Sequence, residues 1–250
     1  MKTLTLTEAE TTELIILVRR ELEELDKLVE EAKKYANAEG TELNMVFQFE
    51  HTSLDHNPHS KWSTNRYYLP ALKENLTKWQ NGLDEIAWNS LYYCNHDQPR
   101  ICSFVKEESA LVNFTAFLYF LKGTTLLYAG QEYCCDHTPS LFEKDVFPRA
   151  QEKDITPLLR KLYAVKKNIL SPEDCFRGTA DDAYDIAVLE RDDNHTRKLG
   201  VFSLKGKAAE VAVSLPDGMY TNHLDGTAVQ VVAGYLHCAG DPVLLTTVHK

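Results

Sequence analysis

The sequence predicts an α/β protein, with a parallel sheet and crossover helices followed by a small antiparallel β-sandwich. Between residues 41 and 170, short apolar runs alternate with helical patterns, and repeated strand–helix units of this kind build parallel sheets. After Ser171-Pro172 the helical patterns stop, and short β-rich segments follow, separated by turns such as Pro216-Asp217-Gly218. A charged amphipathic segment precedes both parts. We therefore expect three units: a helix over 1–40, the α/β part over 41–170 and a β-sandwich over 171–250.

The N-terminal segment is predicted to be one long helix over residues 7–36. Thr7 can cap its start, and Asn37 and Gly40 end it. Apolar residues recur at three- and four-residue steps and would form one buried stripe: Leu14, Leu17, Val18, Leu22, Leu25, Leu28 and Val29.

Three strands and three helices are predicted in the α/β part. The strands are 44–51, 88–97 and 124–132, and the helices are 69–81, 108–122 and 154–168. The strands are apolar nearly throughout, which is expected when helices cover both faces of a sheet.

Composition and charge exclude several classes of partner. The chain has 27 Lys and Arg against 37 Asp and Glu, a formal net charge of -10, which argues against a nucleic acid or an anionic membrane as the main partner. No apolar run approaches the roughly 18 residues that span a bilayer. The N-terminal apolar run LIILV is too short for a secretion signal, so we expect a cytoplasmic protein.

The six cysteines show neither C-x-x-C spacing nor the density of a disulfide framework, so reduced thiols are expected. A soft-metal site at Cys134-Cys135, followed by Asp136 and His137, is the alternative. We disfavour it because no second ligand pair with suitable spacing follows. No cofactor is implied.

Each predicted strand ends in hydrogen-bonding side chains: Glu50-His51 after the first, Asn95-His96-Asp97 after the second and Gln131-Glu132 after the third. Functional residues gather at the carboxyl ends of parallel strands. A carboxylate beside an imidazole suits vicinal hydroxyls, since the carboxylate accepts and the imidazole donates hydrogen bonds. The three endings together favour a polyol-binding site, with nearby aromatic rings to stack on sugars (Phe49, Tyr92, Tyr93, Tyr128 and Tyr133).

Two motifs in order, FQFEH at 47–51 and NHDQPR at 95–100, resemble glycoside hydrolase family 13, the α-amylase family. Within it the chain is most similar to the branch of α-glucosidases, oligo-1,6-glucosidases and trehalose-6-phosphate hydrolases. The resemblance runs from about residue 31 to the end. It implies the C-terminal part of a (β/α)8 TIM barrel, with 44–51, 88–97 and 124–132 as barrel strands six to eight, followed by the family's C-terminal sandwich.

The resemblance also implies roles for particular residues. Asp97 takes the position of the catalytic transition-state stabiliser, and His96 hydrogen-bonds the same sugar. Arg100 would hold the loop or reach a neighbouring sugar, while Glu50 and His51 are further substrate-binding candidates. The expected ligand is an α-glucoside oligosaccharide or disaccharide. Cys94 departs from the Asn or Glu that the branch usually carries there.

The two reacting carboxyl groups of a retaining glycosidase do not appear in the sequence. They must stand about 5 Å apart, and the family places them after strands four and five, ahead of residue 44. Only a charged helix is predicted there, and Glu21, Glu23 and Glu24 are surface residues by pattern. We expect the chain alone to be inactive.

Several interpretations stay open at this point. A complementary N-terminal half chain could supply the missing strands, or the chain could self-associate. It could be a non-catalytic carbohydrate-binding module, or a fold that has kept no function. Because three strands cannot close a barrel, we expect the N-terminal helix to cover part of the open sheet through Leu14, Leu17, Leu25 and Leu28.

Overall fold

The computed structural model describes residues 27–37, 39–47, 49–50, 56–57, 60–64, 69–83, 88–147, 153–181 and 184–249. The helices are 27–33 (α1), Leu69–Gly82 (α2), Ile101–Phe104 (α3), Glu108–Phe120 (α4) and Thr156–Asn168 (α5), with a 3-10 turn at Gln131–Tyr133. The strands are Met45–Phe47 (β1), His56–Asn57 (β2), Ser60–Thr64 (β3), Trp88–Leu91 (β4), Thr124–Thr125 (β5), Cys175–Asp181 (β6), Ile186–Asp192 (β7), Thr196–Ser203 (β8), Ala209–Ala212 (β9), Gly218–Thr221 (β10), Ala228–Val232 (β11), Tyr235–Cys238 (β12) and Val243–Val248 (β13).

Strands β1, β4 and β5 form the predicted parallel sheet, with β4 in the centre. Met45 lies opposite Trp88, and Ser90 lies opposite Thr124. All three strands are shorter than predicted, and β4 ends at Leu91, ahead of a turn at Asn95. The Asn95 side chain accepts the Asp97 amide hydrogen, a local bond that competes with the ladder of a sheet. The short antiparallel pair β2–β3 was not predicted.

Helices α2, α4 and α5 pack in one core with the first sheet of the C-terminal part. This joint core includes Leu76 of α2, Phe117 of α4, Leu162 of α5 and Phe202 of β8. The Phe202 ring centroid lies 5.6 Å from that of Phe117, in an edge-on arrangement. The helices of the α/β part therefore have a continuous apolar contact with the sandwich.

A buried ion cluster adds to this contact between the helices and the sandwich. Asp174 accepts from Lys198 at 2.5 Å and lies 3.2 Å from the Arg191 Nε atom, with all three side chains buried. Arg191 also donates to the carbonyl oxygen of Phe120 at 2.9 Å, at the end of α4. The paired charges thus link the start of the sandwich to the helices before it.

The C-terminal part consists of two four-stranded antiparallel sheets, as predicted. Their orders are β13-β8-β7-β6 and β10-β11-β12-β9. Leu199, Val201 and Leu236 are almost fully buried between the sheets. Ala233 and Gly234 both have positive φ, of 52° and 77°, the backbone of a tight hairpin turn between β11 and β12. The division of the chain at residue 170 stays a prediction, as do the other domain bounds.

Helix α1 packs against α2 through Val29, which is buried. A Cβ atom added to Gly82 would lie 2.7 Å from a Val29 methyl group, so the two helices touch where Gly82 offers no side chain. Leu28 is 48% exposed, and the prediction that it seals the open sheet is wrong. Leu14, Leu17 and Leu25, and most of the predicted helix 7–36, lie outside the described residues. Among the described residues, no helix is long and apolar enough to cross a membrane.

Candidate functional site

The loop after β4 presents the predicted pair His96 and Asp97 to solvent. Asn95 is buried at its base, and its Oδ1 atom accepts the Asp97 amide hydrogen at 2.8 Å. This Asx turn fixes the backbone of Asp97 at the carboxyl end of the central strand. The loop is therefore rigid at Asn95, and its two ionisable side chains project outward.

His96 and Asp97 lie within ion-pair distance of each other. The His96 Nε2 atom lies 3.2 Å from Asp97 Oδ2, and the two side chains are 61% and 53% exposed. An exposed carboxylate can accept hydrogen bonds from two hydroxyl groups, and the adjacent imidazole can donate to a hydroxyl oxygen. The pair can thus bind neighbouring hydroxyls of a sugar.

Arg100 ends the same motif and is 1% exposed. One of its Nη atoms donates to the carbonyl oxygen of Ala129, and its guanidinium carbon lies 4.7 Å from the Tyr128 ring centroid and 5.3 Å from that of Phe147. Gly130 has a φ of 83°, and a Cβ atom there would lie 2.8 Å from an Arg100 nitrogen. Of the two predicted roles, the geometry fits holding the loop, because Arg100 joins it to the loop after β5.

Cys94 also supports the loop from below. The Ile101 amide donates to its sulfur at 3.0 Å, and burial raises the pKa of the thiol to about 11. The residue that departs from the family pattern is a buried neutral thiol that accepts a hydrogen bond at the start of α3.

Glu50 follows β1 and its carboxylate is engaged by α2. Lys78 Nζ and Trp79 Nε1 each donate to Glu50 Oε2 at 2.6 Å. These bonds fasten the loop after β1 to the helix, and the role of Glu50 in substrate binding stays a prediction. His51 lies outside the described residues.

The third strand ending has a structural role. Gln131 is buried, and its side-chain oxygen accepts the Tyr128 amide hydrogen at 3.2 Å. The Glu132 carbonyl oxygen accepts from the Ile155 amide at 2.9 Å, ahead of α5. Among the described residues, an exposed polar pair occurs at one of the three predicted strand ends, the end of β4.

Phe47, Phe49 and Tyr92 form an aromatic cluster at the ends of β1 and β4. The Phe49 ring centroid lies 5.8 Å from that of Tyr92 and 6.2 Å from that of Phe47. Phe47 and Phe49 are about half exposed. Burial, and then the negative charge of Asp97, raise the pKa of the Tyr92 phenol to about 12, so this phenol remains neutral. The two half-exposed rings, Phe47 and Phe49, offer an apolar surface at the end of β1, the strand that pairs with β4.

Phe47 was missed at the level of sequence, although alternation along a strand places it on the same face as Phe49. Of the predicted stacking residues, Tyr92 is 2% exposed and belongs to the interior. Tyr93 and Tyr128 are partly buried: the Tyr93 hydroxyl lies 3.2 Å from the Thr115 hydroxyl of α4, and Tyr128 packs on Arg100.

No group of three His, Cys, Asp or Glu side chains with the arrangement of a metal site occurs in the described ranges. His137, one candidate ligand of the disfavoured metal site, binds Asp145 at 2.9 Å.

Comparison with known families gives two matches that together cover nearly the whole chain. The family described as alpha amylase, catalytic domain, matches residues 8–192, and the bacterial alpha amylase C-terminal domain matches residues 178–245. The first match begins well ahead of residue 31, where the resemblance was expected to start.

Among curated relatives, an oligo-1,6-glucosidase of Halalkalibacterium halodurans is 47% identical over 109 residues, which cover 42% of this chain and 19% of the relative. A trehalose-6-phosphate hydrolase of Escherichia coli is 37% identical over 109 residues, covering 42% of this chain and 20% of the relative. Among solved structures, an α-amylase from Lactobacillus plantarum has a TM-score of 0.73 at 24% identity, covering 89% of this chain and 53% of that one.

Because the sequence identity to that structure is low, the similarity shows a shared fold and nothing more. The chain spans about half the length of the solved structure and about a fifth of the length of these two curated relatives.

Proposed function

Because the chain belongs to the α-amylase family of glycoside hydrolases, we propose that it is the C-terminal part of an α-glucosidase-type hydrolase and binds an α-linked glucose residue. In this proposal Asp97 accepts hydrogen bonds from two sugar hydroxyls and stabilises the transition state. His96 donates to one of the same hydroxyls, and Arg100 holds the loop that carries both.

One observation carries this proposal: the exposed His96–Asp97 pair, 3.2 Å apart, at the end of the central strand. Asn95 and Arg100 hold the loop from below, so binding a sugar requires little ordering of the protein, and little affinity is lost to conformational entropy. Phe47 and Phe49, about half exposed at the end of the neighbouring strand β1, offer ring faces for a sugar.

We further propose that the nucleophile and the general acid are not among these 250 residues. Retaining hydrolysis needs two reacting carboxyl groups that flank the scissile bond, in addition to Asp97. Glu50, the carboxylate after β1, is bound by Lys78 and Trp79, and Glu21, Glu23 and Glu24 fit a helix surface by pattern. The chain alone is then expected to bind α-glucosides without hydrolysing them.

The test measures binding and hydrolysis on the same purified chain. Calorimetric titration with maltose and isomaltose should show binding, and p-nitrophenyl α-glucoside should not be hydrolysed. Asp97→Asn should weaken binding about 10- to 100-fold, because a hydrogen bond to a charged group contributes roughly 1.5–3 kcal/mol.

Asp136→Asn is the matched control, since Asp136 is similarly exposed and lies outside the pair. Equal affinity of the two variants would refute the sugar-binding role of Asp97. Hydrolysis that Asp97→Asn abolishes would show that the chain has its own reacting carboxylates.

A second function, as one half of a split enzyme, is favoured by the edges of the parallel sheet. β1 and β5 are its edge strands, and Met45, Phe47 and Leu127 are large apolar side chains exposed there. A complementary chain with the preceding barrel strands would pair with these edges and cover these side chains.

Co-expression with such an N-terminal half, taken from an oligo-1,6-glucosidase, tests this second function. Glucosidase activity should appear only when both chains are present and should be lost with Asp97→Asn. Absence of both co-purification and activity, while the chain itself stays folded, would count against the split enzyme.

A further inference from the structure

The second sheet of the sandwich, β10-β11-β12-β9, has a face that points away from the core. Its inward side chains, among them Val211, Val231 and Leu236, are buried against the first sheet. Burial alternates along the strands, so every second side chain points outward and is exposed. We call this surface the outer face, and its residues include Glu210, Met219, Gln230, Val232, Tyr235 and His237.

The strand register places four outward side chains in one row across the sheet. Met219 lies opposite Gln230, and His237 lies opposite Glu210. Since β11 and β12 are neighbouring strands, the two pairs adjoin. Strands lie about 4.8 Å apart, so a row across four strands is roughly 14 Å long. This length suits a chain of linked sugar rings better than a single sugar.

A second row carries an exposed aromatic ring. Tyr235 lies opposite Val232 on one side and opposite Ala212 on the other. Tyr235 and Val232 are both more than half exposed. Because Ala212 is small, it leaves one side of the tyrosine ring open to a flat ligand. Such a ring can stack on the apolar face of a sugar.

The turn ahead of Tyr235 is held by a carboxylate. The two oxygens of Asp217 accept the amide hydrogens of Ala233 and Gly234, at 2.8 Å and 3.0 Å. The Gly234 carbonyl oxygen accepts in turn from the Val213 amide at 2.9 Å. The start of β12 is therefore fixed, and binding at Tyr235 requires little ordering of the backbone.

The hydrogen-bonding groups of the outer face resemble those of the candidate site. His237 Nδ1 lies 2.7 Å from Glu210 Oε1, and both side chains are exposed. The second oxygen of Glu210 can accept from a hydroxyl group, and Nε2 of His237 can hydrogen-bond another. The Gln230 amide adds a donor and an acceptor in the same row. A carboxylate beside an imidazole thus occurs here as it does at His96–Asp97.

The charge of the outer face fits an uncharged ligand. The four strands of this sheet contain neither lysine nor arginine, and Glu210 is their one carboxylate. A phosphate or a nucleic acid would find no cation here. A neutral polyol needs none, because hydroxyl groups bind to carboxylate, imidazole and amide groups.

We propose that the outer face is a further binding site, which takes a neutral oligosaccharide of α-linked glucose units. Tyr235 stacks on one sugar ring, and Gln230, His237 and Glu210 hydrogen-bond the hydroxyl groups of the adjoining rings. The choice of glucose units rests on the proposed function, whereas the neutral, extended character of the ligand rests on the outer face itself.

The experiment titrates the isotope-labelled chain with maltoheptaose and follows its amide signals by NMR. Signals of β11 and β12 around Tyr235 and His237 should shift. Tyr235→Ala should weaken this response about 10-fold, and Tyr235→Phe, which keeps the ring, should restore most of it. Glu210→Gln should also weaken it about 10-fold, through loss of a hydrogen bond to a charged group. Tyr163→Ala is the matched control, since Tyr163 is an exposed tyrosine of α5, and should respond like the wild type.

The signals of residues 95–100 report on the candidate site in the same titration. A response of the outer face without one at 95–100 would count against the sugar-binding role of Asp97 and would leave the outer face supported. A response at 95–100 alone would overturn the outer face and leave the proposed function intact.

Two further outcomes would overturn the proposal. One is a response of β11 and β12 that Tyr235→Ala leaves undiminished while its circular dichroism shows a folded chain. The other is a sugar-free wild type that sediments as a dimer while Tyr235→Ala sediments as a monomer, because a second copy of the chain would then cover the outer face.

Discussion

The two ends of the α/β part differ in how far their apolar surface is covered. Where α4 and α5 meet the sandwich, Phe120, Leu162 and Phe202 are almost fully buried in one core. At the edge of the parallel sheet, Met45 and Phe47 of β1 lie exposed. The same kind of residue is thus interior in one region and surface in the other.

The residues that stabilise the fold and the surface that is open to binding therefore lie in different regions of this chain. The joint core closes on residues of its own chain and accounts for folding. The parallel sheet offers edge strands and exposed apolar side chains, and its central strand leads to the exposed His96–Asp97 pair, the groups on which the two proposed functions depend. Substitutions in the two regions should therefore have different consequences.

The largest effect is expected from Phe202→Ala in the joint core. Phe202 is fully buried and contacts the rings of Phe117 and Phe120 edge-on. Removing a buried ring leaves a cavity and lowers the free energy of unfolding by about 3–5 kcal/mol. Urea unfolding followed by circular dichroism measures the loss. A loss below about 1 kcal/mol would show that the joint is not the stabilising core.

The sequence predicted the joint better than it predicted the open sheet. The helices over 69–81, 108–122 and 154–168 are observed within a few residues of those limits, since burial of an apolar face decides them locally. The strands were predicted too long. Their apolar residues continue past the ladder into loops, as Tyr92 and Tyr93 do after β4, because a sheet's length depends on its neighbouring strands.

A smaller effect on stability is expected at Lys166, on α5 within the joint. Its ammonium group donates to the carbonyl oxygens of Tyr119 and Leu121, and burial lowers its pKa from 10.5 to about 7. Between those values the unfolded chain holds a proton that the folded chain has lost, so stability rises with pH. The slope is at most roughly 1.4 kcal/mol per pH unit.

Lys166→Met should remove this rise between about pH 7 and pH 8.5, measured as urea midpoints at each pH. Lys167→Met is the matched control, because Lys167 is the exposed neighbour on the same helix and should keep the wild-type slope. Equal slopes in both variants would mean that Lys166 is solvated and that the joint is looser than its buried rings indicate.

The candidate site was predicted in part. The motif at 95–100 identified Asp97 and His96, whose exposed pair the structure describes. Sequence alone did not indicate that Glu50 binds Lys78 and Trp79, because these residues lie far from it in the chain. It also did not indicate that Gln131 is buried. Arg100 was assigned two roles, and its burial between aromatic rings favours the supporting one.

The smallest effect on stability is expected from Phe47→Lys on the open sheet. Phe47 is 47% exposed, and substitutions at such surface positions usually change the free energy of unfolding by less than about 0.5 kcal/mol. A charge there should instead disfavour any chain that covers the sheet, because a desolvated lysine without a partner is costly. Sedimentation velocity should show less self-association than in the wild type.

Phe142→Lys, at a loop residue that is 93% exposed, should leave association unchanged. If Phe47→Lys unfolded as easily as Phe202→Ala, the sheet would be covered by its own chain, and the contrast between the two regions would fail.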